Sequence, residues 1–170
     1  GKAIDIVKRV QGTGEKLIED FMIAANETVA THISNMDLPF IYRVHDLPNA
    51  EKIEDFTNLI KQMGYQVHTN LNKITPVTMQ NLLNEFRDKD EFVILSDMLL
   101  RSMKKAIYST NNIGHFGLAS KNYTHFTSPI RRFPDLTVHR LLRTYLFENR
   151  IDMETINFNA KYLIDVAEHS

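Results

Sequence analysis

Apolar side chains recur at Ile18, Phe21, Met22, Ala25, Val29 and Ile33, one stripe with a period near 3.6, and predict a helix over 15–34. Asp37-Leu38-Pro39 ends it. Residues 40–45 then alternate, with Phe40, Tyr42 and Val44 on one side and Ile41, Arg43 and His45 on the other, which predicts a short strand. Pro48-Asn49 opens a second helix with the stripe Ile53, Phe56, Leu59, Ile60 and Met63, and Gly64 is placed to stop it. Thr75-Pro76 is a cap-and-first-turn pair for a helix to about Arg87. A more apolar helix is predicted over 92–108. The pattern then breaks into loop and short extended pieces over 109–128. Ser128-Pro129 restarts helical structure by the same capping logic, and Pro134 keeps that piece short or kinked. A longer helix carries Leu136, Leu141, Leu142, Tyr145 and Leu146, and residues 153–168 make the last one. The fold class expected is α+β, mostly helical with a few short strands. No internal repeat, low-complexity tract or linker interrupts it.

The length of 170 residues is one domain's worth of chain, or part of a larger one. With 43% apolar and 24% charged residues, the composition excludes disorder as the main reading. No apolar run is long enough to span a membrane, and Gly1–Asp5 is no signal peptide. The chain has no cysteine, which removes disulfides, thiol catalysis and Cys-based zinc sites, and a cytoplasmic home is the default expectation. The net charge of -1 hides an asymmetry. Residues 101–150 hold nine Lys/Arg against two Asp/Glu, whereas the rest hold eleven against nineteen. A basic block beside an acidic remainder suggests an anionic partner for one face, or else a basic surface with no ligand.

The basic block contains the most informative segment, His125 to Arg132. If Ser128 caps a helix with Pro129 in its first turn, free backbone N–H groups there attract an anion. Arg131 and Arg132 would then lie where a helix dipole disfavours cations, and an arginine fork on a phosphate oxygen would explain them. The alternative is one arginine paired with a carboxylate such as Asp135 and the other solvated. His115, His125 and His139, with Asp135 four residues before His139, lack a compact ligand spacing, and no metal site is expected from them. The cluster Asp88 to Glu91 reads as a solvated loop. Glu19 and Asp20 fall on the polar side of the first helix, near Asn26 and Glu27, where acids interact well with a helix start. No Walker, GxGxxG or GxSxG pattern is present.

The run Tyr123–Arg140, YTHFTSPIRRFPDLTVHR, resembles the signature of the catalytic RNB domain of bacterial processive 3′-to-5′ exoribonucleases, the ribonuclease R and ribonuclease II family. Its Arg-Arg-Phe-Pro-Asp form is closer to the ribonuclease R branch. Leu17–Glu27 resembles the first long helix of that half of the domain, Pro39–His45 its following strand, and Met103–Tyr108 with Gly114–Ala119 the segments before the signature. The resemblance runs from about Ile4 to Ser170.

This resemblance implies hydrolysis of RNA from the 3′ end to nucleoside 5′-monophosphates with two divalent metals, Mg2+ in the full-length enzyme. It implies that residues 1–170 are the C-terminal part of one RNB domain. The aspartate half that holds the metals, the cold-shock domains and the S1 domain are then not in this chain, which alone should bind no metal and cleave nothing. By motif position Arg131 matches the arginine on the scissile phosphate, and Glu19 a glutamate near the terminal nucleotide that helps select ribose. Arg132, Ser128, His115, Tyr42 and Arg43 are expected to line the RNA channel. The expected partner is single-stranded RNA, with no membrane or protein partner. The rivals are a non-catalytic RNA-binding module of the same fold and an all-helical interaction protein with no RNA role.

Overall fold

The computed structural model describes residue 5, residues 10–66 and residues 74–170. The first residues of the expected resemblance, from Ile4, lie outside them in part. Helix α1 spans Thr13–Asn35, and the Glu15 carboxylate accepts the Gly12 N–H at its start. Strand β1, Tyr42–Val44, follows. Helix α2, Ala50–Gln62, is capped by the Asn49 side chain, which accepts from the Lys52 N–H. It stops at Gly64, whose φ of +81° suits a residue without Cβ. Helix α3, Pro76–Phe86, begins at the foreseen Thr75-Pro76 pair, with the Thr75 hydroxyl accepting from the Thr78 N–H. Helix α4 is Phe92–Ser102, β2 is Ile107–Ser109, α5 is Phe133–Leu142 and α6 is Met153–Glu168. A 3-10 turn lies at Phe116–Leu118, and a π-helical turn at Arg143–Phe147 continues α5.

Three sequence expectations need correction. The helix expected over 92–108 ends at Ser102, and Ile107–Ser109 is a strand. It pairs antiparallel with β1 in the register Tyr42↔Ser109, Arg43↔Tyr108 and Val44↔Ile107. A tertiary ladder overrides the helical pattern of a short apolar stretch. The helix expected at Ser128-Pro129 does not form there. Residues 129–131 are a turn, and α5 starts at Phe133 with Pro134 in its first turn, where its missing N–H disturbs nothing. The stripe of α1 is buried only at its C-terminal end. Ala30 and Ile33 are in the core, whereas Ile18 and Phe21 are exposed.

Two apolar cores hold the elements. The first gathers Ala30 and Ile33 of α1, Phe40, Ile41, Tyr42 and Val44, Val138 and Leu141 of α5, Tyr145, and Leu163 and Val166 of α6. The second packs α2, α3 and α4 through Ile53, Phe56, Ile60, Met79, Leu82, Phe86, Leu95 and Leu99, with Phe116 from the 3-10 turn. Each fully buried Leu or Ile side chain contributes roughly 1.5–3 kcal/mol. The loops between β2 and α5 touch both cores: Phe116 packs in the second, whereas Phe126 of the informative segment packs against the first.

Candidate nucleic-acid interface

Alternation along β1 separates two of the expected residues. Successive strand residues point to opposite faces. Tyr42 faces the core, 6% exposed, with its hydroxyl hydrogen-bonded to Ser34 and its pKa raised by burial. Arg43 points the other way, with its guanidinium 4.5 Å from the centre of the Tyr108 ring. Tyr42 therefore belongs to the packing of the sheet, and only Arg43 reaches the opposite surface.

On that surface Tyr108, Tyr123 and three histidines form one chain of rings. The Tyr108 hydroxyl is 2.7 Å from His125 Nδ1. The His125 ring meets Tyr123 edge-on at 5.9 Å, Tyr123 meets His115 at 5.2 Å, and His115 meets His45 at 5.1 Å. Burial, with the neighbouring His45, lowers the His115 pKa to about 4. Burial, with Arg132 beside it, does the same for His125. Both rings are neutral at pH 7 and add nothing to the basic charge of the surface. His115 is half-buried, and its Nδ1 accepts from the Leu118 N–H at the 3-10 turn. Gly117 is required beside it, because a Cβ there would stand 2.7 Å from His45 Nδ1.

The segment 126–132 follows these rings and has neither ladder nor helix. Its backbone groups are satisfied by side chains instead, as buried peptide groups must be. The Phe126 N–H donates to Asn26 Oδ1 at 2.9 Å, and His139 Nε2 donates to the Phe126 carbonyl at 2.9 Å while its ring stacks on Phe126 at 4.3 Å. The Ser128 N–H donates to Asp135 Oδ2 at 2.7 Å. Arg132 pairs with the same carboxylate: Nη2 donates to Oδ2 at 2.8 Å, and Nε lies 2.8 Å from Oδ1 as a charge contact. The foreseen alternative, one arginine on Asp135 and the other solvated, is the arrangement found. Arg131 is exposed at the tip of the turn, beside a fully exposed Ile130. The anion-binding helix start foreseen at Ser128 is absent, since its N–H is taken and the helix begins later.

Glu19 is exposed on α1, where it accepts a hydrogen bond from Gln11 Nε2 at 2.7 Å. Asn26 follows seven residues on, which is the same helix face about 10 Å further along. Asn26 is 3% exposed and also donates to the Tyr123 hydroxyl at 3.0 Å. The face of α1 that carries Glu19 is thus tied to the segment that carries Arg131. Sequence reasoning placed Asn26 on the polar side of the helix. The signal that could have found it is spacing, because 22, 26, 29 and 33 form one stripe and Asn26 is its polar member.

Among the described residues, no group of three or more His, Asp or Glu could hold a metal ion. Asp135 and His139, the foreseen helical pair, are each engaged elsewhere, with Arg132 and with the Phe126 carbonyl. No described helix is long and apolar enough to cross a membrane.

Comparison with known proteins gives a consistent picture. The RNB domain family matches residues 1–148. Ribonuclease R of Thermotoga maritima is 49% identical over 170 residues, covering 99% of this chain and 24% of that protein. The structure of Mycoplasma genitalium RNase R in complex with ribose methylated single-stranded RNA superposes with a TM-score of 0.84 at 36% identity, covering 94% of this chain and 25% of that one. A yeast pseudonuclease superposes with a TM-score of 0.67 at 27% identity, over 91% of this chain and 20% of its own. The chain spans about a quarter or less of the length of each.

Proposed function

This chain belongs to the RNB domain family, and we propose that it is the C-terminal part of one RNB domain in a ribonuclease R-type enzyme. The enzyme shortens single-stranded RNA from its 3′ end and releases nucleoside 5′-monophosphates. Residues 1–170 supply a wall of the RNA channel and the phosphate-contacting Arg131. Glu19 meets the terminal ribose, where a carboxylate can accept a 2′-hydroxyl hydrogen bond and so favour RNA over DNA. The observation that carries this reading is the fixed segment 126–132, which leaves Arg131 exposed and is hydrogen-bonded through Asn26 to the helix of Glu19.

The chemistry of this chain in that reading is positional and electrostatic. Arg131 offers a planar fork of donors to phosphoryl oxygens, and its charge counts most where negative charge builds up in the transition state. Arg43 stands on the surface side of β1 and contributes to holding the strand. Arg132 serves Asp135 and lends its charge to the same region. Magnesium ions would supply the activated water and the leaving-group stabilisation, but the described residues offer them no ligand set. In this reading their aspartate ligands belong to another part of the longer enzyme.

The test is Arg131→Ala in the full-length enzyme, with RNA affinity and turnover measured separately. Turnover should fall by about 10²–10³, the usual cost of one donor aimed at a developing oxyanion. Affinity should fall only modestly, because many other contacts hold the strand. Arg131→Lys should restore little, since a point charge does not replace the fork. Unchanged turnover at saturation with weaker binding would make Arg131 a strand anchor. The second reading, a non-catalytic RNA-binding module, draws support from the likeness to a pseudonuclease. It predicts salt-sensitive RNA binding and no shortening of RNA by the full-length protein.

A further inference from the structure

The turn that carries Arg131 is held from below by a single carboxylate. Asp135 is 0% exposed and sits in the first turn of α5, a helix anchored in the core by Val138 and Leu141. Its Oδ2 accepts from the Ser128 N–H at 2.7 Å and from Arg132 Nη2 at 2.8 Å, and its Oδ1 lies 2.8 Å from Arg132 Nε. Ser128 in turn receives the next residues, since its carbonyl accepts from the Arg131 N–H at 3.3 Å and the Arg132 N–H at 3.1 Å. Its hydroxyl is 3.5 Å from Arg131 Nη2. The residues on both sides of Arg131 are therefore fixed to one buried oxygen pair, while Arg131 itself has its freedom restricted only through them.

We propose that Asp135 is a positioning residue for Arg131: by binding the Ser128 N–H and the Arg132 guanidinium together, it sets the 129–131 turn and the direction in which Arg131 projects. The inference rests on the role proposed above for Arg131. Three observations make the carboxylate suited to this work. It is carried on a packed helix and not on the loop, so its position is set by the core. It lies at a helix N-terminus, where the dipole favours its negative charge. Its charge is matched by the Arg132 guanidinium, through one charge-assisted hydrogen bond and one close charge contact. Arg132 is thereby a counter-charge to Asp135, which explains two adjacent arginines with different fates.

A neutral amide at 135 removes the charge opposite Arg132, and either way round its NH2 group faces a donor: Arg132 Nε if its oxygen takes the place of Oδ2, the Ser128 N–H and Arg132 Nη2 if it does not. The turn would shift by a fraction of an ångström to about an ångström, and misplacement on that scale can cost on the order of 10–100-fold in rate. The experiment is a double-mutant cycle in the full-length enzyme, read by single-turnover shortening of a 5′-labelled RNA oligonucleotide below the melting temperature of every variant. Asp135→Asn should lower kcat by about 10–100-fold and leave KM within about threefold, the pattern of an interaction made only in the transition state. In the Arg131→Ala background the same substitution should cost less than about twofold, because residues that act as a unit are not additive. Asp135→Glu keeps the charge and should recover part of kcat.

Additive losses in the cycle, or a loss confined to KM or to melting temperature, would overturn the inference and leave the role of Arg131 standing. No effect of Arg131→Ala on kcat would instead overturn the functional reading beneath it. Should Asp135→Asn not fold, Asp135→Glu displaces the same two hydrogen bonds with the charge kept, and the cycle is read with that variant against the same two outcomes.

Discussion

The helices α2, α3 and α4 pack through nine buried apolar residues, counting Phe116, and their polar groups find partners nearby, as when the Tyr65 hydroxyl donates to Glu91. The region of α1, the two-stranded ladder, α5 and α6 is knit differently. There Asn26 reaches Tyr123 and Phe126, Thr124 donates to the Ile41 carbonyl, and the Tyr145 hydroxyl donates to the Pro39 carbonyl, over separations of 83 to 106 residues. One region is amphipathic helix packing. The other holds irregular backbone in place with buried side chains, and every candidate residue for RNA lies in it. Irregular backbone can present a side chain such as Arg131 at an angle no helix face offers, but each buried peptide group in it must then be met individually.

That difference can be broken at its polar points. The largest effect on stability is expected from Arg132→Ala, which leaves the Asp135 carboxylate buried without its counter-charge. Removing one partner of such a pair costs about 3 kcal/mol or more, which lowers the melting temperature by roughly 6–12 °C in a chain of this size. Thermal melting followed by circular dichroism measures it, and a change below about 2 °C would mean that Asp135 is compensated elsewhere. Asn26→Ala comes next. It strands the Tyr123 hydroxyl and the Phe126 N–H, at a cost of about 2 kcal/mol. Denaturant unfolding with an unchanged m-value is the check, and a cost below about 0.5 kcal/mol would show that water replaces the amide.

The histidines sharpen the comparison through pH. His115 and His125 have pKa values of about 4 against 6.5 in an unfolded chain. Between these values the unfolded chain binds more protons than the folded one, so stability falls as pH drops from about 6.5 to about 4 and is full above that window. Amide exchange compared at pH 7 and pH 5 should show protection lost first around β1, β2 and residues 123–126. The helices α2, α3 and α4 contain no histidine and should lose least. Equal loss in both regions would mean that the two cores unfold as one. The smallest effect is expected in the helical region itself. Arg101 and Asp97 form an exposed i,i+4 pair on α4, and Arg101→Ala should change stability by no more than about 0.5 kcal/mol. A melting shift as large as that of Arg132→Ala would erase the distinction between the two regions.

Much of this was written into local sequence. Stripes with a 3.6-residue period, Thr75-Pro76 and Gly64 placed α2 and α3 well, because caps and one-sided burial act over a few residues. The signature from Tyr123 to Arg140 carried the resemblance to the RNB family, which the family match over residues 1–148 shows. What the sequence did not disclose depends on contacts between distant residues. The pairing of Ile107–Ser109 with β1 ended a helix that periodicity extended to 108. The burial of Asn26 and Tyr42, the lowered pKa values of two histidines, and which of the two arginines takes Asp135 all follow from which residue stands opposite in space. Local pattern fixes which segments can be helix or strand, since those preferences are settled within one or two turns. Whether a polar side chain faces water or a buried partner is settled only when α1, the ladder and α5 close around the segment 123–132 and remove it from solvent.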